Sequence, residues 1–312
     1  MIGASGMYER VAGVIFGTAI GDAIGYQVEF QDVKPSAPEV DGMLTTPCLY
    51  SDDTQMMRAV FEGLIRAGEF HDVGKAATEV AEEFIAWLHS PENNRAPGNT
   101  CLAACRELDS GTHWTSSGVA DSKGCGSVMR SMAYGVWFHN FTKDILASEW
   151  AALHGSMTHA HPAAIASTAA MAAAIHSLMN GRTPERAYGQ AIEAAKIRHA
   201  DTALMLGQVA GFVREERSPD EVLDQWRGWT GDEAICAAMY VFLRHPTDPR
   251  AAILEAANSP GDSDSIACMV GALVGAHVGL RPFPDEWKTG VEKSDELEVL
   301  THRVLKATRL RA

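Results

Sequence analysis

The stretch of residues 261–280 reads GDSDSIACMVGALVGAHVGL, and it combines two signals that decide the fold. Its first residues carry two carboxylates with neighbouring hydroxyls, and the remainder, 266–280, is apolar nearly all round, which predicts a helix buried in a core. Gly271, Gly275 and Gly279 recur every four residues and therefore share one stripe of that helix. In a water-soluble protein, such a stripe predicts close contact with another helix.

The helical period recurs along the rest of the chain. Apolar residues repeat at steps of three and four between Met56 and Ile65 and between Val80 and Leu88, and 161–180 is an Ala-rich apolar segment. Alternating patterns typical of strands are scarce, while Pro residues and Asn-Gly or Pro-Gly pairs separate the helical segments. The sequence therefore predicts one compact all-α domain over residues 1–312, with about a dozen helices and longer loops at 31–50 and 90–99.

Composition excludes several classes of protein. The chain has 312 residues, 46% of them hydrophobic, and a formal net charge of −14. Such an acidic surface repels phosphate, so we expect neither nucleic acid nor an anionic membrane as a partner. No apolar run reaches the roughly 20 residues that span a bilayer, and no basic stretch precedes the apolar segment 11–20. The six cysteines form no CxxC pair, which predicts free thiols and a cytoplasmic location.

A second acidic segment resembles the start of the first one. Tyr50-Ser51-Asp52-Asp53-Thr54 precedes a helical run, just as Gly261-Asp262-Ser263-Asp264-Ser265 does. Ser and Asp at such positions commonly cap helices by accepting hydrogen bonds from free N–H groups. However, a cap needs one carboxylate and each segment has two, and both helices are expected to be buried. Crowded buried carboxylates repel one another unless a cation lies among them.

The alternative to capping is a shared metal site. If the two helix starts converge, they offer four carboxylates and two hydroxyls. An all-oxygen donor set favours Mg²⁺ or Mn²⁺ over Zn²⁺, and four carboxylates carry enough charge for two divalent ions. The spacing along the chain does not show whether the segments meet, so the residues alone leave both interpretations open.

Several further motifs resemble those of the ADP-ribosylglycohydrolase family, which includes the dinitrogenase reductase-activating glycohydrolases and the ADP-ribosylarginine hydrolases. The resemblance covers nearly the whole chain and rests on six motifs in the family's order. These are 17–25 (GTAIGDAIG) with Glu29, 51–54 (SDDT), 95–100 (RAPGNT), 124–130 (GCGSVMR), 158–162 (THAHP) and 261–265 (GDSDS).

The resemblance implies an all-α fold with a binuclear centre of two Mg²⁺ (or Mn²⁺) ions. The ligands it implies are Ser51, Asp52, Asp53, Asp262, Asp264 and Ser265. Glu29 falls where the family carries an acid beside the metals, which implies a catalytic or gating role. The chain departs from the family pattern at Ser263 and Ser265, where Thr is frequent, and at Cys125, where Asn or a similar polar residue is common.

The remaining motifs are candidates for substrate binding. Glycines at a helix start let backbone N–H groups approach phosphate, although the same residues also form ordinary turns and caps. The resemblance implies substrate contacts from Gly98, Asn99, Gly124, Gly126, Ser127, Met129 and His159. Arg130 has two open interpretations, a phosphate contact or a buried ion pair. The tryptophans Trp87, Trp114 and Trp137 belong to the core or to an adenine pocket.

The resemblance implies a metal-dependent hydrolase that removes ADP-ribose from modified proteins, and we favour an N-glycosidic bond to arginine. Its partners would be ADP-ribosylated protein, ADP-ribose and a cognate ADP-ribosyltransferase or toxin, whose modification it would reverse. The alternatives are hydrolysis of serine-, O-acetyl- or nucleobase-linked ADP-ribose, or a catalytically weak relative that binds and neutralises. A helical phosphohydrolase is disfavoured because such sites usually mix His with Asp.

Overall fold

The computed structural model describes residues 3–68, 71–141 and 145–309. Within these ranges the chain forms fifteen α-helices and one 3-10 turn, with isolated bridges in place of a sheet. The prediction of an all-α fold is confirmed. The helices are α1 (Ala4–Tyr26), α2 (Asp52–Ala67), α3 (Val73–Leu88), α4 (Asn99–Asp109), α5 (Met132–Trp137), α6 (Ile145–Gly155), α7 (Pro162–Met179), α8 (Pro184–Lys196), α9 (Ala200–Arg214), α10 (Pro219–Gln225), α11 (Gly231–Arg244), α12 (Pro249–Ala257), α13 (Ser263–Val278), α14 (Asp285–Gly290) and α15 (Ser294–Arg309).

The glycine stripe of α13 packs directly against α1. A Cβ atom built on Gly17 would lie 2.2 Å from the carbonyl oxygen of Gly271, and one built on Gly13 would lie 2.4 Å from that of Gly275. Two helices approach this closely only where neither has a side chain in between. The predicted helix–helix contact is confirmed, and its partner is a matching glycine stripe on α1.

The Ala-rich segment forms α7, which lies in the centre of the core. This 18-residue helix is long and apolar enough, at a mean hydropathy of 1.3, to cross a membrane, although the sequence alone suggested that no run reached that length. In the structure 89% of it is buried inside the protein. Its apolar surface is therefore covered by neighbouring helices such as α6 and α8.

The region between α4 and α5 differs from the sequence-based prediction. The sequence predicts a helix over 128–138, directly after the glycines of the 124–130 motif. The structure forms this helix only in part, as the short α5, and a 3-10 turn, Cys125–Ser127, lies before it. A third irregular stretch, 110–124, precedes it, and the bond from Val119 N–H to the carbonyl of Thr158 (2.9 Å) ties this stretch to the chain beside His159. Turn residues break the helical pattern here, beginning with Gly111 at a φ of +92°.

Candidate active site

The two acidic helix starts meet at one pocket. It has a volume of about 340 Å³ and lies where the C-terminal end of α1 approaches the starts of α2, α4 and α13. Carboxylate oxygens of Glu29, Asp262 and Asp264 all lie within 4.8 Å of one another. The lining residues are Glu29, Phe30, Asp52, Asp53, Ala96, Pro97, Gly98, Asn99, Thr100, Cys101, Gly124, Cys125, Gly126, Met129, His159, Trp229, Asp262, Asp264 and Ser265.

Capping explains only part of this acidic cluster. At α2 the cap is Ser51, whose hydroxyl accepts from Asp53 N–H (3.3 Å). Asp22 of α1 accepts from the backbone N–H groups of Ser51 (2.8 Å) and Thr54 (2.9 Å) and so fixes the same helix start from outside. Asp262 is the N-cap residue of α13 but makes no side-chain capping bond. The carboxylates of Asp52, Asp53 and Asp262 are therefore not needed to satisfy these backbone groups.

The cluster is short of positive charge. Burial, and after it the charge of Asp264, raises the pKa of Asp52, Asp53 and Asp262 well above the usual range of a carboxyl. Burial and the charges of Asp264 and Asp262 raise the pKa of Glu29 to about 10. Among the residues that the structure describes, Asp53 Oδ2 and Glu29 Oε2 are buried without a hydrogen-bond partner.

These features fit a hard divalent cation. Oxygen atoms are the donors that Mg²⁺ and Mn²⁺ prefer, and a cation would neutralise the mutual repulsion of the carboxylates. The two orphaned oxygens are atoms that a cation or its water ligands would satisfy. The pocket thus has the chemistry of a metal site, and it holds more negative charge than any arrangement of caps requires.

One lining residue is a thiol among these oxygens. Cys125 Sγ donates to Asp262 Oδ2 at 2.8 Å and lies 3.5 Å from the hydroxyl of Ser265. Burial, followed by the charges of Asp262 and Asp53, raises the pKa of this thiol well above its ordinary value. The thiol thus supplies a hydrogen bond to Asp262.

The glycines that flank Cys125 shape one side of the pocket. A Cβ on Gly126 would lie 2.8 Å from the His159 ring and 2.7 Å from Cys101 Sγ, so only glycine fits there. Arg130 is buried and donates to the carbonyl of Gly126 (2.6 Å) and the hydroxyl of Thr158 (2.7 Å), which holds this loop in place. In the described residues Arg130 makes hydrogen bonds and no ion pair, so the interpretation as a buried ion pair is not supported.

His159 is positioned as a neutral ring. Its Nδ1 lies 2.8 Å from the Thr158 hydroxyl, and burial, with the nearby charge of Arg130, lowers its pKa to about 3. On the other side of the pocket, the N–H of Gly98 donates to Asp52 Oδ2 at 3.3 Å, which links the 90–99 loop to the acidic cluster.

All of the predicted site residues except Ser51 and Ser127 line the pocket. Ser51 lies at the N-cap of α2, behind the carboxylates. The Ser127 hydroxyl lies 2.8 Å from that of Thr168 on α7, inside the core. Any contact of Ser127 with a ligand would therefore have to come from its backbone.

Sequence reasoning missed an aromatic pair at the pocket. Phe30 and Trp229 stack with ring centroids 5.7 Å apart and an interplanar angle of 15°, and they are 68% and 44% exposed. None of the three tryptophans considered from sequence lines this pocket. The sequence signal that could have found Trp229 is the glycine directly before it. In the structure Gly228 has a φ of +86° and forms the turn that brings the Trp229 ring to the mouth of the pocket.

Comparisons with known proteins agree with this fold and site. The sequence profile of the ADP-ribosylglycohydrolase family matches residues 4–312. The chain is 26% identical to the ADP-ribosyl-[dinitrogen reductase] glycohydrolase of Rhodospirillum rubrum, over 94% of each protein. It is also 26% identical to the ADP-ribosylarginine hydrolase Tri1 of Serratia proteamaculans (strain 568), covering 97% of this chain and 81% of that relative.

Two more distant comparisons extend the same result. The chain is 24% identical to the human ADP-ribosylhydrolase ARH3, over 97% of this chain and 95% of the relative. A solved structure titled "ADP-ribosylglycohydrolase-related protein complex" superimposes with a TM-score of 0.77 at 22% identity, over 97% of this chain and 99% of that one. At this identity the likeness shows the fold alone.

A helical fold that gathers carboxylates from several helix ends into one cleft defines this protein as a hydrolase of the type these relatives represent. The chain belongs to the ADP-ribosylglycohydrolase family.

Proposed function

We propose that this protein hydrolyses the N-glycosidic bond between ADP-ribose and a protein arginine, which reverses mono-ADP-ribosylation. The observation that carries the proposal is the convergence of both acidic helix starts and Glu29 on one pocket. Support for arginine comes from the relative that is named an ADP-ribosylarginine hydrolase. In this proposal residues 1–312 act as one catalytic domain, which the family match to 4–312 supports. The protein would act in the reducing cytoplasm, which its six free thiols favour.

The acidic cluster would hold two Mg²⁺ or Mn²⁺ ions. The ligands would be the carboxylates of Asp52, Asp53, Asp262 and Asp264 together with the hydroxyls of Ser51 and Ser265. When bound, such cations supply positive charge that fixes ribose hydroxyls, offsets the repulsion of the diphosphate and acidifies bound water. These ions would explain how an acidic pocket accepts an anionic ligand.

The chain's own residues would perform the other tasks of the reaction. Cleavage at C1 of the distal ribose passes through an oxocarbenium-like state, which nearby carboxylates stabilise. The Glu29 carboxylate would orient the attacking water or hold a proton at one of its oxygens. Backbone N–H groups of Gly98 and Asn99 on one side, and of Gly124 and Gly126 on the other, would approach the phosphates.

The other predicted lining residues would enclose the ribose and the base. Met129 offers an apolar surface at the floor of the pocket, where the Cys268 thiol donates to the Met129 carbonyl (3.4 Å) and holds it in place. The neutral ring of His159 would hydrogen-bond to phosphate or ribose. The exposed faces of Phe30 and Trp229 would stack against a planar group, either adenine or the guanidinium of the acceptor.

The decisive experiment measures free ADP-ribose released from three substrates with defined bonds. We expect release from an arginine-modified protein, none after EDTA treatment, and recovery with added Mg²⁺ or Mn²⁺. Release only from the serine-linked or O-acetyl substrate would disprove the arginine proposal while keeping the hydrolase. Asp52→Asn should abolish release, whereas a protein that only binds and neutralises a toxin would keep its effect in that variant.

A further inference from the structure

The thiol of Cys125 lies among the oxygens that the proposed function assigns to cations. Its Sγ is 2.8 Å from Asp262 Oδ2 and 3.5 Å from Ser265 Oγ. A sulfur and a carboxylate oxygen come this close when they share a proton or a cation. Cys125 is half-buried and lines the pocket, so an ion that enters the cleft can reach it.

A second observation shows that ligand atoms are available at this place. Asp53 lines the same pocket, is 3% exposed, and has its Oδ2 buried without a partner in the described part of the chain. Oxygens of Glu29, Asp262 and Asp264 lie within 4.8 Å of one another next to the thiol. Beside Asp262 the cleft therefore offers the Cys125 sulfur together with carboxylate oxygens, of which Asp53 Oδ2 and Glu29 Oε2 have no partner in the described residues.

We propose that Cys125 supplies a sulfur ligand on the Asp262 side of this cluster, so that the pocket binds thiophilic divalent cations such as Zn²⁺ or Cd²⁺ in competition with Mg²⁺ or Mn²⁺. The inference rests on the cation site of the proposed function but not on the reaction. If the inference holds, the metal preference of this pocket depends on the Cys125 side chain, which gives it a sulfur donor that an all-oxygen site does not have.

Sulfur changes the order of metal affinities at such a site. Thiolate is a soft donor that favours Zn²⁺ over Mg²⁺, and a mixed set of sulfur and carboxylate oxygen suits ions that bind sulfur at about 2.3 Å and oxygen at about 2.0–2.2 Å. On binding, the S–H bond of Cys125 breaks, its electron pair forms the metal–sulfur bond, and the proton passes to the buffer. No electron is transferred.

The test uses Cd²⁺ as a spectroscopic probe of the full-length, metal-free protein. A cadmium–sulfur bond absorbs in the ultraviolet by charge transfer, and cadmium–oxygen bonds do not. We expect the wild-type protein to develop this band at one Cd²⁺ per chain. Cys101 also lines the pocket but is buried beside Arg130 (3.8 Å), so Cys101→Ser is the matched control and should keep the band.

Cys125→Ser should lose the band and bind Cd²⁺ about ten-fold more weakly, while its Mn²⁺ affinity changes much less, because only the soft ligand is removed. Cys125→Asn is a second variant in case the serine protein does not fold, and circular dichroism monitors both. A wild-type protein that binds Cd²⁺ without the band, or a band that persists in both variants, would overturn the inference.

The experiment also separates this inference from the proposed function. If the band forms at Cys125 but no ADP-ribose is released from any substrate, the sulfur ligand is supported and the proposed hydrolysis fails. If ADP-ribose is released in a metal-dependent way but no band forms, the hydrolase is supported and the sulfur ligand is refuted.

Discussion

Gly17 of α1 and Gly271 of α13 pack backbone against backbone, and a Cβ on Gly271 would lie 1.9 Å from the carbonyl oxygen of Gly17. The same contact line continues to Gly25, where a Cβ would lie 2.6 Å from Asp264 Cα. It ends where Glu29 follows α1 and where Asp264 lies in the first turn of α13. The glycine contact therefore sets the distance between the acids of the candidate site.

Gly271→Ala should strongly destabilise the protein, because the added methyl meets backbone that cannot rotate away. We expect a loss of about 3 kcal/mol or more in the free energy of unfolding, measured by urea titration. Gly207 in α9 is exposed and has open space around its Cα. Gly207→Ala should therefore be neutral or stabilise by about 0.5–1 kcal/mol. Equal effects of the two substitutions would contradict the packing argument.

Asp53→Asn should stabilise the metal-free protein while removing its response to metal. The substitution removes a buried charge that is repelled by its neighbours, which we expect to be worth about 1–3 kcal/mol. Thermal melting in EDTA should show a higher Tm than for the wild type. Adding Mn²⁺ should then raise the Tm of the wild type but not of the variant. A lower Tm in EDTA would show that the carboxylate has a structural partner.

Trp229→Ala should weaken substrate binding and leave the reaction step largely intact. Loss of one stacking surface costs about 1 kcal/mol, so we expect KM for the modified protein to rise about five-fold. Leu204 is a control, because it is 68% exposed and does not line the pocket. If kcat falls instead of KM rising, Trp229 has a role beyond stacking.

His154 should make the protein sensitive to acid. Its Nδ1 lies 2.9 Å from the Tyr134 hydroxyl and its Nε2 3.2 Å from the Val73 carbonyl, and burial lowers its pKa from 6.5 to about 4. In the unfolded chain His154 is protonated below pH 6.5, whereas in the folded chain it becomes protonated only near pH 4. This contribution to stability is therefore present above pH 6.5 and is lost as the pH falls towards 4.

The size of this effect can be isolated with a variant. Between pH 7 and pH 5 we expect His154 to remove about 2 kcal/mol from the free energy of unfolding. His154→Gln keeps a polar side chain that does not titrate. Between pH 7 and pH 5 the free energy of unfolding of this variant should therefore fall by about 2 kcal/mol less than that of the wild type. The comparison uses urea unfolding at both pH values, because the acidic cluster titrates equally in both proteins. Parallel pH profiles would refute the assignment.

Periodicity and local chemistry were readable from the sequence. Apolar steps of three and four predicted the helices, and the stripe at Gly271 and Gly275 predicted a close helix contact, because both properties depend on residues a few positions apart. The paired carboxylates at Asp52–Asp53 and Asp262–Asp264 were visible for the same reason, although the residues alone left both capping and a metal site open. A helix start needs one acceptor for its cap, so two carboxylates at the same helix start are an excess that the sequence itself shows.

Tertiary structure alone decided which residues meet. Contacts such as Phe30 with Trp229, or Cys125 with Asp262, join positions far apart along the chain, and no local pattern encodes their distance. The Ser127 hydroxyl lies against Thr168 rather than in the cleft, because Ser127 belongs to a 3-10 turn that directs its side chain into the core. Side-chain direction at a turn depends on the backbone that packing imposes, and here that packing comes from α7 and α11, whose residues lie far away along the chain.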